Sequence, residues 1–385
     1  MTTIVVAGAL ANKVGNGGEA WVRISWAKGL QRLGARVHLL EEIAEAACVD
    51  AHGQPCVVEE SVNLDFFRRV TRDQGIDATL LVDDGRTFGA STDHLDGLAA
   101  DADLLVNISG HLRRSPLFAR FRRRAYVDID PGFTQIWEAA GVGGLRLDQH
   151  HVHFTIGENI GSQECDIPTV GLRWIPVRQP VVLDDWAECT PPDSNRLTTV
   201  GSWRGAYGPI EHRGRMLGVK VHEFRKYLKL PAQTAQSLEL ALDIHPADEA
   251  DRCRLLECGW QLVDPRSVAG DPEQFRSYVK GSSGEFSVAQ GVYVSTQCGW
   301  FSDRTVRYLA SGKPALVQDT GFSRHVPTGV GLVSFSSFGQ AVEGAASINS
   351  HYDRHCAAAR TIAERYFDAN LVLPRFLEQA GVSCG

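Results

Sequence analysis

Gly15-Asn16-Gly17-Gly18-Glu19, set between a short apolar strand and an amphipathic helix, restricts the fold of this chain more than any other stretch. The strand reads Thr3-Ile4-Val5-Val6-Ala7-Gly8. The helix expected from Ala20 to Leu33 places Trp21, Ile24, Trp26, Leu30 and Leu33 at roughly helical spacing. Gly34 stops it, and Arg36-Val37-His38-Leu39-Leu40 resumes as a strand. The result is a β-loop-α-β unit whose loop carries little side chain. Such a loop at a helix N-terminus lets backbone N–H groups approach an anion closely. The spacing is not the G-x-G-x-x-G dinucleotide fingerprint. A turn that only joins strand to helix fits the same residues.

The alternation continues. Thr79–Val82, Leu104–Ile108, Ala125–Ile129 and His153–Ile156 are short apolar runs suited to a parallel sheet covered on both faces. Pro168, Pro176, Pro180, Pro191 and Pro192 then mark an interdomain connection. The pattern restarts with strands expected at 197–201, 238–244, 260–263, 285–288, 314–318 and 330–335. A long loop and a helix from Lys220 to Leu228 follow the first of these. Asp271-Pro272 fits the N-cap and N1 preferences of a helix reaching Val279, and Ser302 or Asp303 caps one reaching Ser311. The expected class is α/β, with two Rossmann-like doubly wound domains facing a cleft.

With 385 residues the chain has room for two domains, and its formal charge of -7 argues against nonspecific nucleic-acid binding. No run of 18 apolar residues suggests a membrane span, and the N-terminus lacks a signal-peptide pattern. The nine cysteines are odd in number and form no C-x-x-C pair. They point to reduced thiols in a cytoplasm rather than to a disulfide framework or zinc site.

Two glycine-flanked turns of the second half carry chemistry: Gly201-Ser202-Trp203-Arg204-Gly205, and Cys298 to Arg304. The second continues into Tyr308-Leu309-Ala310-Ser311-Gly312-Lys313-Pro314-Ala315-Leu316-Val317, which resembles the E-A-M-A-x-G-x-P-V-V segment of nucleotide-sugar glycosyltransferases with the two-domain GT-B fold. Gly17-Gly18-Glu19 with Leu33-Gly34-Ala35-Arg36-Val37 resembles their GG-x-E opening. Gly201, Arg204 and Lys220 resemble the G-R … K-G element that grips the donor diphosphate. The three matches occur in order, at domain edges, over most of the chain. The resemblance is to bacterial members related to the glycogen-synthase-like, or family 4, type.

The resemblance implies an acceptor-binding domain over 1–187, a nucleotide-sugar-binding domain over 188–365, and a C-terminal helix over 366–385 packing back on the first domain through Leu373, Phe376 and Leu377. It also implies donor contacts from Gly17, Gly18, Arg204, Lys220, Glu285, Trp300, Ser302, Asp303 and Arg304. Fixed cations and helix-end N–H groups stabilise a departing diphosphate without a metal, so no cofactor is expected. Arg204 in a solvated loop and Lys220 as a solvated helix-start lysine are the plainer alternatives. One departure stands out. Retaining members carry a Glu-x7-Glu pair, and the matching positions here hold Gly299 and Arg307.

His111, after the strand ending at Ile108, and Asp130, after Asp128-Ile129, are the acid–base candidates; a general base needs an imidazole or carboxylate within hydrogen-bond reach of the acceptor. A loop histidine without a role and a capping carboxylate on the Asp-Pro-Gly turn are the alternatives. The expected function is transfer of a sugar from a nucleotide donor to a hydroxyl or amine of a small-molecule acceptor, such as a natural product or envelope precursor. A GT-B epimerase and a non-catalytic two-domain sugar-binding protein are the rival readings. A second copy of the chain is a further candidate partner, and no nucleic acid or integral membrane segment is expected.

Overall fold

The computed structural model describes residues 1–188, 195–205 and 207–383. Among these, sixteen strands form two parallel-rich sheets and a hairpin. The first sheet uses β1 (Thr3–Ala7), β2 (Arg36–Ile43), β3 (Asp77–Val82), β4 (Thr87–Phe88), β5 (Leu104–Ile108), β6 (Arg124–Asp128), β7 (Val152–Thr155) and β8 (Trp174–Pro176). Their order is β4-β3-β2-β1-β5-β6-β7-β8, parallel except at β4. The second part contributes β9 (Arg196–Ser202), β10 (Ile210–His212), β11 (Arg215–Leu217), β12 (Ser237–Asp243), β13 (Gln261–Val263), β14 (Gly284–Ser287), β15 (Ala315–Gln318) and β16 (Leu332–Phe335). Here β13-β12-β9-β14-β15-β16 form a parallel sheet, and β10-β11 an antiparallel hairpin.

The apolar runs explain the sheets. All five residues of β5 are buried, as expected for a strand covered by helices on both faces. Chain order reverses between β1 and β5 in one sheet and between β9 and β14 in the other. Ligands of doubly wound sheets bind at such switch points, beyond the carboxyl ends of the strands.

The opening helix runs Gly17–Arg32, three residues earlier than its apolar spacing suggests, because the Asn16 side chain accepts from the Glu19 N–H at 3.1 Å. Gly17 and Gly18 therefore belong to the first helical turn. A Cβ on Gly17 would run into the Asp271 carbonyl, and one on Gly18 would come within 3.2 Å of Phe275. Small residues here let the first lobe's helix pack on the second lobe, and Trp21 Nε1 donates to the Pro272 carbonyl at 2.7 Å. The helix expected over 220–228 is α-helical only over Lys220–Phe224 and tightens to 3₁₀ over Arg225–Tyr227. The expected long loop before it contains the β10–β11 hairpin, and Pro191 and Pro192 lie outside the described residues.

The last helix, Ala369–Ala380, returns to the first sheet. Phe376 meets Trp26 and Phe154 with ring centroids 4.9 and 4.4 Å apart, and Leu373 packs where Gly29 leaves space. One apolar cluster thereby joins Ile4, Val6 and Phe154 to Ala315, Val317 and Leu332 of the second lobe.

Candidate active site

A cavity of about 470 Å³ lies between the carboxyl ends of the two sheets. Lys13, Glu19 and Asp130 line it from the first lobe, and Lys220, Asp303 and Arg304 from the second.

The second-lobe wall carries Lys220, Arg266 and Arg304 together with Asp243, Asp264 and Asp303. Arg304 sits in the first turn of the helix Asp303–Ala310. Its guanidinium is held three ways: Nε on Glu285 Oε1 at 2.6 Å, one terminal nitrogen on the Val200 carbonyl at 2.7 Å, the other on Ser287 Oγ at 2.5 Å. Glu285 is fully buried on β14 and its second oxygen, Oε2, has no hydrogen-bond partner. It therefore anchors Arg304 from beneath instead of lining the cavity. Lys220 opens the helix Lys220–Phe224, its backbone N–H on Gln290 Oε1 at 2.9 Å. Only 8% of Lys220 is exposed, and burial first, then the Arg304 charge, bring its ammonium down to about 7, with Glu285 opposing. Gly201 makes room for it, since a Cβ there would lie 3.1 Å from Lys220 Nζ. Two adjacent cations with one anchoring carboxylate favour an anion in the cavity.

Arg204 does not join them. Trp203 is fully buried against Phe224 and donates to Asp251, which turns the next side chain outward. Arg204 then forks onto Asp248 at 2.6 and 2.8 Å, half exposed and off the cavity wall. Trp300, Ser302 and Asp303 do line the cavity. Trp300 stacks on Tyr293 at 4.5 Å, and Asp303 is held by Arg307 at 2.6 Å. Gly18 reaches the wall whereas Gly17 is taken up by packing on Asp271.

The Glu-x7-Glu departure has a structural reason. Gly299 has φ +81°, and a Cβ there would come 3.0 Å from the backbone nitrogens of Glu158 and Asn159. The first-lobe loop occupies the place of a longer side chain. Arg307 is 2% exposed and committed to Asp303.

The first-lobe wall is acidic. Asp128, at the end of β6, is fully buried and accepts from Thr134, Gln135 and Thr155 at 2.8, 2.8 and 2.7 Å, which fixes the following turn. Asp130 stands on that turn at the cavity. Burial, then Glu19 and Asp128, push its carboxyl up to about 7, with Lys13 and Arg23 opposing. For Glu19 burial pushes upward too, but its ion pair with Arg23 and the charge of Lys13 prevail, so its carboxyl lies below the usual range. Two neighbouring carboxylates with opposed shifts divide naturally into a proton acceptor and a fixed anion. His111 stands behind this wall, within electrostatic reach of Arg23, Lys13 and Glu19. Burial and those cations bring its imidazole down to about 3, so it is neutral at physiological pH.

Sequence reasoning missed several residues. Tyr293 lines the cavity and reaches Asp130, Tyr207 reaches Asp130 from outside the lining, and Asp264 and Arg266 line the cavity after β13. Asp264-Pro265 was the available signal, an N-cap followed by a first-turn proline; Asp264 accepts from the Arg266 N–H at 2.9 Å. No group of three or more His, Cys, Asp or Glu side chains suited to a metal ion occurs among the described residues. No helix among them is long and apolar enough to cross a membrane.

The architecture matches solved GT-B glycosyltransferase structures over nearly the whole chain. An alpha-glucosyltransferase in complex with UDP superposes with a TM-score of 0.61 at 11% identity, covering 99% of this chain and 100% of its own. HepE from Anabaena in complex with UDP-glucose gives 0.61 at 11% identity with the same coverage. Sucrose-phosphate synthase from Thermosynechococcus elongatus gives 0.54 at 13%, covering 98% and 99%. The fold is therefore GT-B. No protein-family model matches the sequence, and no curated protein matches it.

Proposed function

We propose that this chain is a glycosyltransferase that moves a sugar from a nucleoside-diphosphate donor to a hydroxyl or amine of a small-molecule acceptor. The observation that carries this reading is the pairing of Lys220 and Arg304 on one wall of the interlobe cavity with Asp130 on the other. The diphosphate lies against Lys220, Arg304 and the N-terminus of the helix Asp303–Ala310. The nucleoside lies toward Asp243, Asp264 and Arg266, and the sugar toward Asp303 and Trp300. As the sugar–phosphate bond breaks, its electron pair passes to the phosphate oxygen, where both cations meet the developing charge. The acceptor oxygen bonds to the anomeric carbon and its proton passes to Asp130.

Structural neighbours crystallised with UDP or UDP-glucose support the donor class. One neighbour was solved with UDP and a 13-mer DNA. The charge of -7 on this chain supports a small acceptor instead. The donor grip uses side-chain cations and backbone N–H groups, so turnover is expected to survive EDTA.

A thermal-shift screen against UDP, ADP, GDP and dTDP tests the reading. A ligand at a hundred times its Kd adds about 2.7 kcal/mol to the folded state. One diphosphate is expected to raise Tm clearly, and Lys220→Ala to abolish the rise. No shift with any nucleoside diphosphate would defeat the proposal.

A further inference from the structure

The hairpin of residues 210–217, an arm of the second lobe, docks on the first. Ile210 on β10 and Leu217 on β11 are buried in one cluster with Phe133, Ile136 and Ile167 of the first lobe. His212 Nε2 lies 3.0 Å from the Asp166 carbonyl, and Arg213 is 3.9 Å from the Asp166 carboxylate. Tyr207, just ahead of the hairpin, packs on Phe133 and Trp137 with centroids 4.9 and 4.8 Å apart. Its hydroxyl lies 3.5 Å from Asp130 Oδ2, while Tyr293 places its own 3.3 Å from Oδ1. Each oxygen of the carboxylate thus faces a phenol donated by the opposite lobe.

We propose that Tyr207, carried on this arm, is a positioning residue that holds the acceptor-hydroxyl place on Asp130 until an acceptor displaces it. The proposal rests on the reading of Asp130 as the acceptor base. A phenol O–H on a carboxylate oxygen makes the same hydrogen bond that an acceptor O–H must make before giving up its proton. Tyr293 is 3% exposed and fixed by its stacking on Trp300, so it stays. Tyr207 is only half-buried and rides on an arm, so it is the one that yields. While in place it covers the Oδ2 oxygen, which limits activation of water there and so limits hydrolysis of the donor. A phenol hydrogen bond favours the ionised carboxylate; burial, Glu19 and Asp128 oppose ionisation, and Lys13 and Arg23 favour it.

The carboxyl carbon of Asp130 in the ¹³C-labelled full chain, assigned with Asp130→Asn, gives the direct test. Tyr207→Phe is expected to raise its titration midpoint by about one pH unit. The same variant is expected to raise acceptor-free release of UDP from UDP-glucose at pH 9 by about threefold or more. His212→Ala, which loosens the arm without touching Asp130, is expected to move both readouts the same way by less, and it carries the test if Tyr207→Phe does not fold. An unmoved midpoint in both variants overturns the proposal. Where UDP-glucose is not turned over, the midpoint alone decides. If Asp130→Asn transfers sugar at the wild-type rate while the midpoint shifts, it is the reading of Asp130 as base that fails, and the tyrosine contact stands.

Discussion

The Lys220–Arg304 pair and Asp130 face one cavity from opposite lobes, and their surroundings are built differently. The cation pair is held by one lobe. Arg304 takes its three hydrogen bonds from β9 and β14, and Lys220 its backbone bond from Gln290, all in the second lobe. The acidic wall is shared. Asp130 stands on a first-lobe turn, yet its oxygens face tyrosines of the second lobe. Under the proposed function, the second lobe alone would hold the donor diphosphate, while Asp130 would act as base only where both lobes meet. The placement fits the order of events that transfer demands, since an acceptor base exposed before closure would activate water.

The sharpest way to break this comparison is Arg304→Ala. We expect kcat/KM to fall by about 10²–10³, the usual cost of removing one preorganised donor to a developing anion. Stability also falls, because Glu285 is left buried and uncompensated. Steady-state kinetics with denaturant unfolding of the same variant separate the two. Wild-type turnover would place the diphosphate elsewhere.

A smaller effect sharpens the contrast through protons. Burial, then the Arg304 charge, bring Lys220 down to about 7 from the usual 10.5. Between those values the unfolded chain holds a proton that the folded one does not, so this lysine costs stability below pH 7 and the cost is relieved as pH rises through that window. A bound diphosphate favours the ammonium and pulls the proton back. Nucleotide binding at pH 8.5 is therefore expected to take up part of one proton, read by calorimetry in buffers of different ionisation enthalpy. Lys220→Met should abolish the uptake. Asp130 behaves oppositely. Its folded value of about 7 lies above the usual 3.8, so its contribution fades as pH rises between them.

The smallest effect is expected from Arg204→Ala. Its partner Asp248 lies outside the cavity and the pair is half exposed, so rate and nucleotide affinity should stay within about threefold of wild type. A hundredfold loss would mean that the loop rearranges when donor binds and that the sequence motif was right about this residue.

Much of the architecture was legible because its signals are local. Apolar runs gave β5 residue for residue, and Asp271-Pro272 gave the start of the helix Pro272–Lys280. The β10–β11 hairpin was not legible, since its strands have three residues each and Ile210 and Leu217 bury in a cluster shared between the lobes. Lys220, singled out by the resemblance, and Trp300, Ser302, Asp303, Arg304 and Asp130, singled out by their places at strand and helix ends, all line the cavity. Glu285 was flagged for a donor contact, yet it sits beneath the wall as the anchor of Arg304.

What the sequence determined by itself was the succession of elements and the loops at their ends, because periodicity, caps and glycine turns act over a few residues. The tertiary structure alone decided which side chains face the cleft and how they are charged. Arg204 follows the end of β9 and Arg304 opens a helix; Trp203 turns the first outward to Asp248, and buried Glu285 draws the second inward. The titration of Lys220 and Asp130 near neutrality has the same origin. It comes from desolvation and from charges on elements far away in the chain, which the sequence cannot place until both lobes have packed together.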